Sequence, residues 1–158
     1  MHLNLASQLS TQFREVFLDG TWIATNYKTQ LQDVDYDEAY AKFANHNTIA
    51  LLTFHINYFI EGVLKAMENG SLDIKDKFSF DLPPDLDSSE WNALKESFIK
   101  NAERMAERIA GMSDQDIMAP FVEEKYGNNY RNIHGLIEHG YYHLGQLVLI
   151  KKLLREGK

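Results

Sequence analysis

Apolar side chains recur at steps of three and four along four long stretches of this chain, and no stretch of comparable length alternates apolar with polar residues. A period near 3.6 turns one apolar face inward only on an α-helix, so the pattern restricts the chain to packed helices. The first stripe is Leu3, Ala6, Leu9, Phe13, Val16 and Phe17, stopping near Asp19-Gly20. The second starts at Asn47 or Thr48, both good N-caps, and reaches Glu68 before Asn69-Gly70, a helix of about 33 Å. The third starts at Ser88 or Ser89 and carries Trp91, Leu94, Phe98, Ala102, Met105 and Ile109 on one side, with Lys95, Glu96, Lys100, Glu103 and Arg104 opposite. A single turn from Ser113 is broken at Pro120, and the last helix runs from Gly127-Asn128-Asn129 to near Arg155. Lys77 to Leu82 is the only alternating piece, and it is too short to argue a sheet.

Two of the three connections between these helices exceed what an antiparallel turn needs. Residues 21–47 hold a short helical piece beginning at Trp22 and Ile23, then an acidic run of Asp33, Asp35, Asp37 and Glu38 that reads as solvated surface. Ser71 to Asp87 contains Pro83-Pro84 and alternates polar with aromatic residues without a helical period. The fold class is therefore all α, a four-helix bundle with long crossover connections. At 158 residues, one domain over 1–158 with one core is expected, with Phe13, Phe17, Trp91, Phe98 and Met105 as packing residues.

Lys plus Arg number 16 against 23 Asp plus Glu, a formal charge of -7, and a surface of that sign repels phosphate backbones. Nucleic acid is not an expected partner. The stretch from Ile49 to Ile60 is interrupted by Thr53, His55 and Asn57 and is short against ~30 Å of hydrocarbon, so no membrane partner is expected. Met1 to Ser10 lacks the charged and apolar regions of a signal peptide, which points to the cytoplasm. With no Cys in the chain, disulfides and thiolate metal sites are excluded, and any metal must bind through His, Asp or Glu.

The last helix contains His139 and His143, an i, i+4 pair whose imidazoles share one face. On a wheel with Leu136 at zero, His139 falls at about -60° and His143 at about -20°, beside Leu147 and Leu154 and hence inward, whereas His134 falls at about 160°. His55 in the second helix is a third inward histidine, surrounded on its wheel by Leu51, Leu52, Phe59, Gly62 and Ala66. His46 belongs to the cap region, and His2 is terminal. Three buried rings need partners, and either separate hydrogen bonds or one divalent cation satisfies them. Three imidazoles with open positions match a catalytic zinc site, and imidazole also suits Ni, Fe and Cu.

Thr48-Ile49-Ala50-Leu51-Leu52-Thr53-Phe54-His55 resembles the Ser/Thr-Ile-x-x-Leu-x-x-His signature of the DinB-like superfamily of metalloenzymes, and His139-Gly140-Tyr141-Tyr142-His143-Leu144-Gly145-Gln146 resembles its His-x3-His helix with a Tyr-His-x-Gly-Gln ending. The likeness covers nearly the whole chain, Gly20-Thr21-Trp22 included, and is weakest over 70–90. It implies an up-up-down-down bundle, His55, His139 and His143 as ligands of a divalent metal ion (Zn or Ni, with Fe or Mn as further candidates), a homodimer, and activities such as thiol-dependent S-transfer on a small-molecule substrate.

The leading functional reading is thus a metal-dependent transferase or hydrolase whose metal activates water or a substrate thiol. The alternative is a non-catalytic metal- or ligand-binding bundle, and a third reading bridges the histidines by buried water. Glu61 and Glu138 fall on outward faces, so no general base is assigned. Gln146, one turn beyond His143, is placed to orient a ligand, and Tyr58, Tyr141 and Tyr142 are candidates for a pocket wall.

Overall fold

The computed structural model describes residues 4–20, 22–84 and 86–157. Leu3 of the first stripe, His2 and Thr21 lie outside the described residues. The described chain is all α, with helices α1 (Leu5–Phe17), α2 (Tyr27–Leu31), α3 (Tyr36–Tyr40), α4 (Ile49–Asn69), α5 (Ser88–Ala110), α6 (Asp114–Met118) and α7 (Asn129–Glu156).

Side-chain caps fix where the long helices start. Asn4, Thr48, Asp87 and Asn128 each accept a backbone N–H from the first turn of α1, α4, α5 and α7, respectively, replacing an acceptor the helix itself cannot supply. Asp87 forms a reciprocal box with Glu90, so α5 begins at Ser88 with an aspartate, not a serine, as its cap. Gly70 ends α4 in the left-handed conformation at φ 74°, which glycine adopts without strain.

Each of α1, α4, α5 and α7 packs on two of the other three, α1 on α5 and α7, and α4 on the same two. The buried apolar side chains form one continuous cluster, and Phe13, Phe17, Trp91, Phe98 and Met105 are all within it. At roughly 25 cal/mol per Å2 of apolar area, each such aromatic contributes on the order of 3 kcal/mol.

The direction of the helices differs from the up-up-down-down order that the family likeness implied. Ser10 donates to the Ala106 carbonyl and the Leu5 N–H to Asp114, so α1 and α5 are antiparallel. Asn57 bonds Asn101 while Glu68 pairs with Arg104, so α4 and α5 run the same way. The cause is the 71–87 connection, which doubles back along α4: the Ile74 side chain abuts Gly62, the Lys75 backbone meets Tyr58, and the Ser79 carbonyl meets His55. It returns the chain to the start of α4 before α5 begins, giving an order of up, down, down, up. A Cβ on Gly62 would lie 2.1 Å from Ile74, so this connection is held against α4 at a distance only glycine allows.

The first crossover also departs from expectation. Trp22 and Ile23 are in a turn, 84% and 44% exposed, and the helical piece starts at Tyr27 because Asn26 caps it while donating to the Gly20 carbonyl. The acidic run is not solvated throughout. Asp35 caps α3, and Glu38 is 6% exposed and held by Arg155 at 2.6 and 2.8 Å. Lys151 and Arg155 also bond Asp33, holding its carboxyl down at about 2. These partners lie more than a hundred residues apart, which is why local pattern missed them. Residues 76–78 form a single 3-10 turn, as rejection of a strand there required.

By length and composition α4 is long and apolar enough to cross a membrane, although the shorter Ile49–Ile60 stretch argued otherwise. In the fold 67% of its most apolar window is buried against the other helices, which accounts for the hydropathy.

Candidate metal centre

The antiparallel packing of α4 on α7 brings His55 level with His139 and His143. Ring centroids are 4.9 Å apart for His55 and His139, 4.8 Å for His55 and His143, and 4.6 Å for His139 and His143. One nitrogen from each ring can be chosen so that all three lie within 4.8 Å of one another, and His55 Nε2 is 3.0 Å from His139 Nε2. His55 and His143 are buried at 4% and 6% exposure, and His139 is partly buried. The three inward histidines of the sequence thus meet at one point.

What surrounds the outer nitrogens decides which way the inner ones face. The Ser79 carbonyl can only accept, so His55 Nδ1 carries the proton at 3.2 Å and its Nε2 presents a lone pair inward. His143 Nδ1 likewise donates to Gln146 Oε1 at 2.9 Å, leaving its Nε2 unprotonated. Across the 3.0 Å contact His139 Nε2 is then the donor to His55 Nε2, and the other neutral tautomer of His139, with its proton on Nδ1, turns a third lone pair inward.

All three rings are held neutral. Burial lowers the pKa of His55, with the neighbouring His143 adding to the effect. Burial lowers His139 to about 4, with His143 and His55 contributing, and burial lowers His143 against the opposing bond to Gln146. Neutral imidazole is the ligating form, and an outer N–H tied to a carbonyl or amide oxygen is how metal-bound histidines are oriented. With metal–nitrogen bonds of about 2.0–2.1 Å, ligand nitrogens stand roughly 3.3 Å apart around a tetrahedral ion; the His55–His139 pair is at 3.0 Å and all three nitrogens lie within 4.8 Å, a set that could hold one divalent cation.

The remaining candidates are placed elsewhere. His134 stacks on Tyr130 and lies 3.4 Å from Glu138, away from the trio, and His46 stacks on Phe43 in the turn before α4. Glu61 pairs with Lys65, and Glu138 pairs with Arg131 and His134, both on exposed faces. The Tyr58 hydroxyl bonds both the N–H and the carbonyl of Lys75, fastening the 71–87 connection to α4 instead of lining a pocket with the histidines. Tyr141 faces a groove between α1 and α7, while Tyr142 lies edge-on to His143 at 4.7 Å.

Three neighbours escaped the reading of the sequence, Ser79, Phe80 and Asp76, whereas Phe59 is where the wheel set it, beside His55. Phe80 stacks on His55 at 3.9 Å, Phe59 sits edge-on to both His55 and His139 at 5.1 Å, and the Asp76 carboxylate partly offsets the lowering at His55 and His139. The available signal was Phe78 and Phe80, two aromatics in an aperiodic connection.

An all-α bundle with a buried three-histidine cluster bridging two antiparallel helices is the class that fold and site define. The model of the DinB superfamily matches residues 24–147, a span that includes all three histidines and Gln146, and the chain belongs to that superfamily. No curated protein and no solved structure matches it significantly.

Proposed function

We propose that this DinB protein binds one divalent metal ion through His55, His139 and His143 and uses it on a small-molecule substrate. The observation that carries the reading is the convergence of three neutral imidazoles whose outer N–H groups at His55 and His143 are already committed to Ser79 and Gln146. Zinc and nickel suit the all-nitrogen donor set best, with iron or manganese as further candidates. Bound there, the ion supplies a Lewis acid able to lower the pKa of water or of a substrate thiol towards about 7, which serves thiol S-transfer or hydrolysis. The protein's own residues, Ser79 and Gln146, orient the His55 and His143 rings and leave His139 partly open to solvent. The net charge of -7 argues against nucleic acid as the partner. The family likeness further proposes a homodimer.

A non-catalytic metal-binding role is the second reading, and the outward placement of Glu61 and Glu138 favours it, since neither carboxylate is available as a base at the centre. The two readings separate in a turnover screen of thiol-transfer and hydrolysis substrates on protein stripped with chelator and reloaded with Zn or Ni. Turnover that disappears on stripping and returns on reloading supports the enzyme. Stoichiometric metal with no turnover across the panel supports the binding module.

A further inference from the structure

The side of the histidine cluster that faces solvent is bordered by aromatic rings. Phe80 covers one face of His55 at 3.9 Å and remains 44% exposed, and Tyr142 packs edge-on to His143 and is 65% exposed. Phe59 closes the border between His55 and His139. Large apolar side chains are seldom left exposed together unless something covers them, and here Phe78 and Phe80 are exposed on the 71–87 strap and Tyr142 and Leu149 on the α7 face beside the cluster. Tyr142 and Leu149 are seven residues apart and share that face. Next to Gln146, a cavity of about 370 Å3 lined by Asn47, Leu149, Ile150 and Leu153 continues along the same face, enough for a small ligand.

A flat apolar group on a ligand would find the exposed rings of Phe80 and Tyr142 beside His55 and His143. The strap holding Phe80 is fixed by Tyr58 through Lys75 and by the Ser79 carbonyl through His55, so the ring is preorganised.

We propose that Phe80 and Tyr142 determine specificity at this centre, selecting small ligands that carry a flat, unsaturated group beside the atom that reaches the metal. The proposal rests on the metal-binding reading above. The test uses protein loaded with Co(II), whose thiolate charge-transfer absorption reports binding without any turnover. Three thiols of similar acidity are titrated: phenylmethanethiol, 2-mercaptoethanol and 2-mercaptoethanesulfonate. Phenylmethanethiol is expected to bind at least tenfold tighter than either of the others. Phe80→Ala and Tyr142→Ala together are expected to bring that ratio close to one while Co(II) uptake stays stoichiometric. Phe80→Leu, which keeps bulk without a flat ring, is expected to lower the ratio severalfold, and serves if the double variant folds poorly. Equal affinities for the three thiols, or a preference that survives these substitutions, overturns the proposal and leaves the metal site standing. Failure of the parent protein to take up Co(II) overturns the metal-binding reading and this proposal together.

Discussion

At the scale of single residues, the site depends on partners outside the ring of three histidines. Gln146 Oε1 accepts the His143 Nδ1 proton at 2.9 Å, and removing that acceptor frees the ring to rotate or to change tautomer. Gln146→Leu is therefore expected to weaken metal binding by roughly 10–100-fold while leaving the helical content unchanged, as read by competition with a chromophoric chelator. Affinity equal to that of the parent would show that Gln146 plays no part in orienting the ring. The proton balance of the metal-free protein gives a second expectation. His139 titrates at about 4 when folded, below its ordinary 6.5, so between those values the unfolded chain binds more protons than the folded one. Stability is thus fully present above about 6.5 and declines as the pH falls towards 4, and His55 and His143, both lowered, act in the same direction. Urea unfolding of metal-free protein between pH 7 and 4.5 should show this loss, and His139→Gln should flatten it. An equal slope in the variant would place the loss on other groups. His55, His139 and His143 were legible in the sequence because helical spacing alone turns them inward, whereas Ser79 and Phe80 lie in an aperiodic connection whose path no local rule specifies.

At the scale of elements, the long helices were legible to within a residue or two at most ends, since stripes and caps are local properties. The connections were not. Residues 71–87 double back along α4 because Gly62 admits Ile74 and Tyr58 holds Lys75, contacts that emerge only once both segments are in place. The crossover from α1 to α4 is pinned to the end of α7 by Asp33 and Glu38 meeting Lys151 and Arg155. Glu38 is 7% exposed at its side chain and Arg155 42%, so this pair is neither a free surface bridge nor a fully buried one. Arg155→Ala leaves the buried Glu38 carboxylate without its cation and is expected to cost about 2 kcal/mol, a fall in Tm of roughly 4–8 °C. A thermal melt that does not move would mean that Glu38 gains equal stabilisation from solvent or from Lys151.

At the scale of the whole molecule, the up, down, down, up order sets α4 antiparallel to α7, the arrangement that places His55 opposite His139 and His143. The same order lays the 71–87 strap over the cluster, supplying the Ser79 carbonyl and the Phe80 ring. Membership of the DinB superfamily and the convergence of three neutral imidazoles support the same reading, a bundle organised around one divalent ion. The most direct test is elemental analysis of protein purified without a metal-affinity tag, beside a His55→Ala, His139→Ala, His143→Ala variant prepared identically. Near-stoichiometric Zn, Ni, Fe or Mn in the parent and none in the variant is the expected result. A parent that stays metal-free after reconstitution, or a variant that retains the metal, would contradict the account.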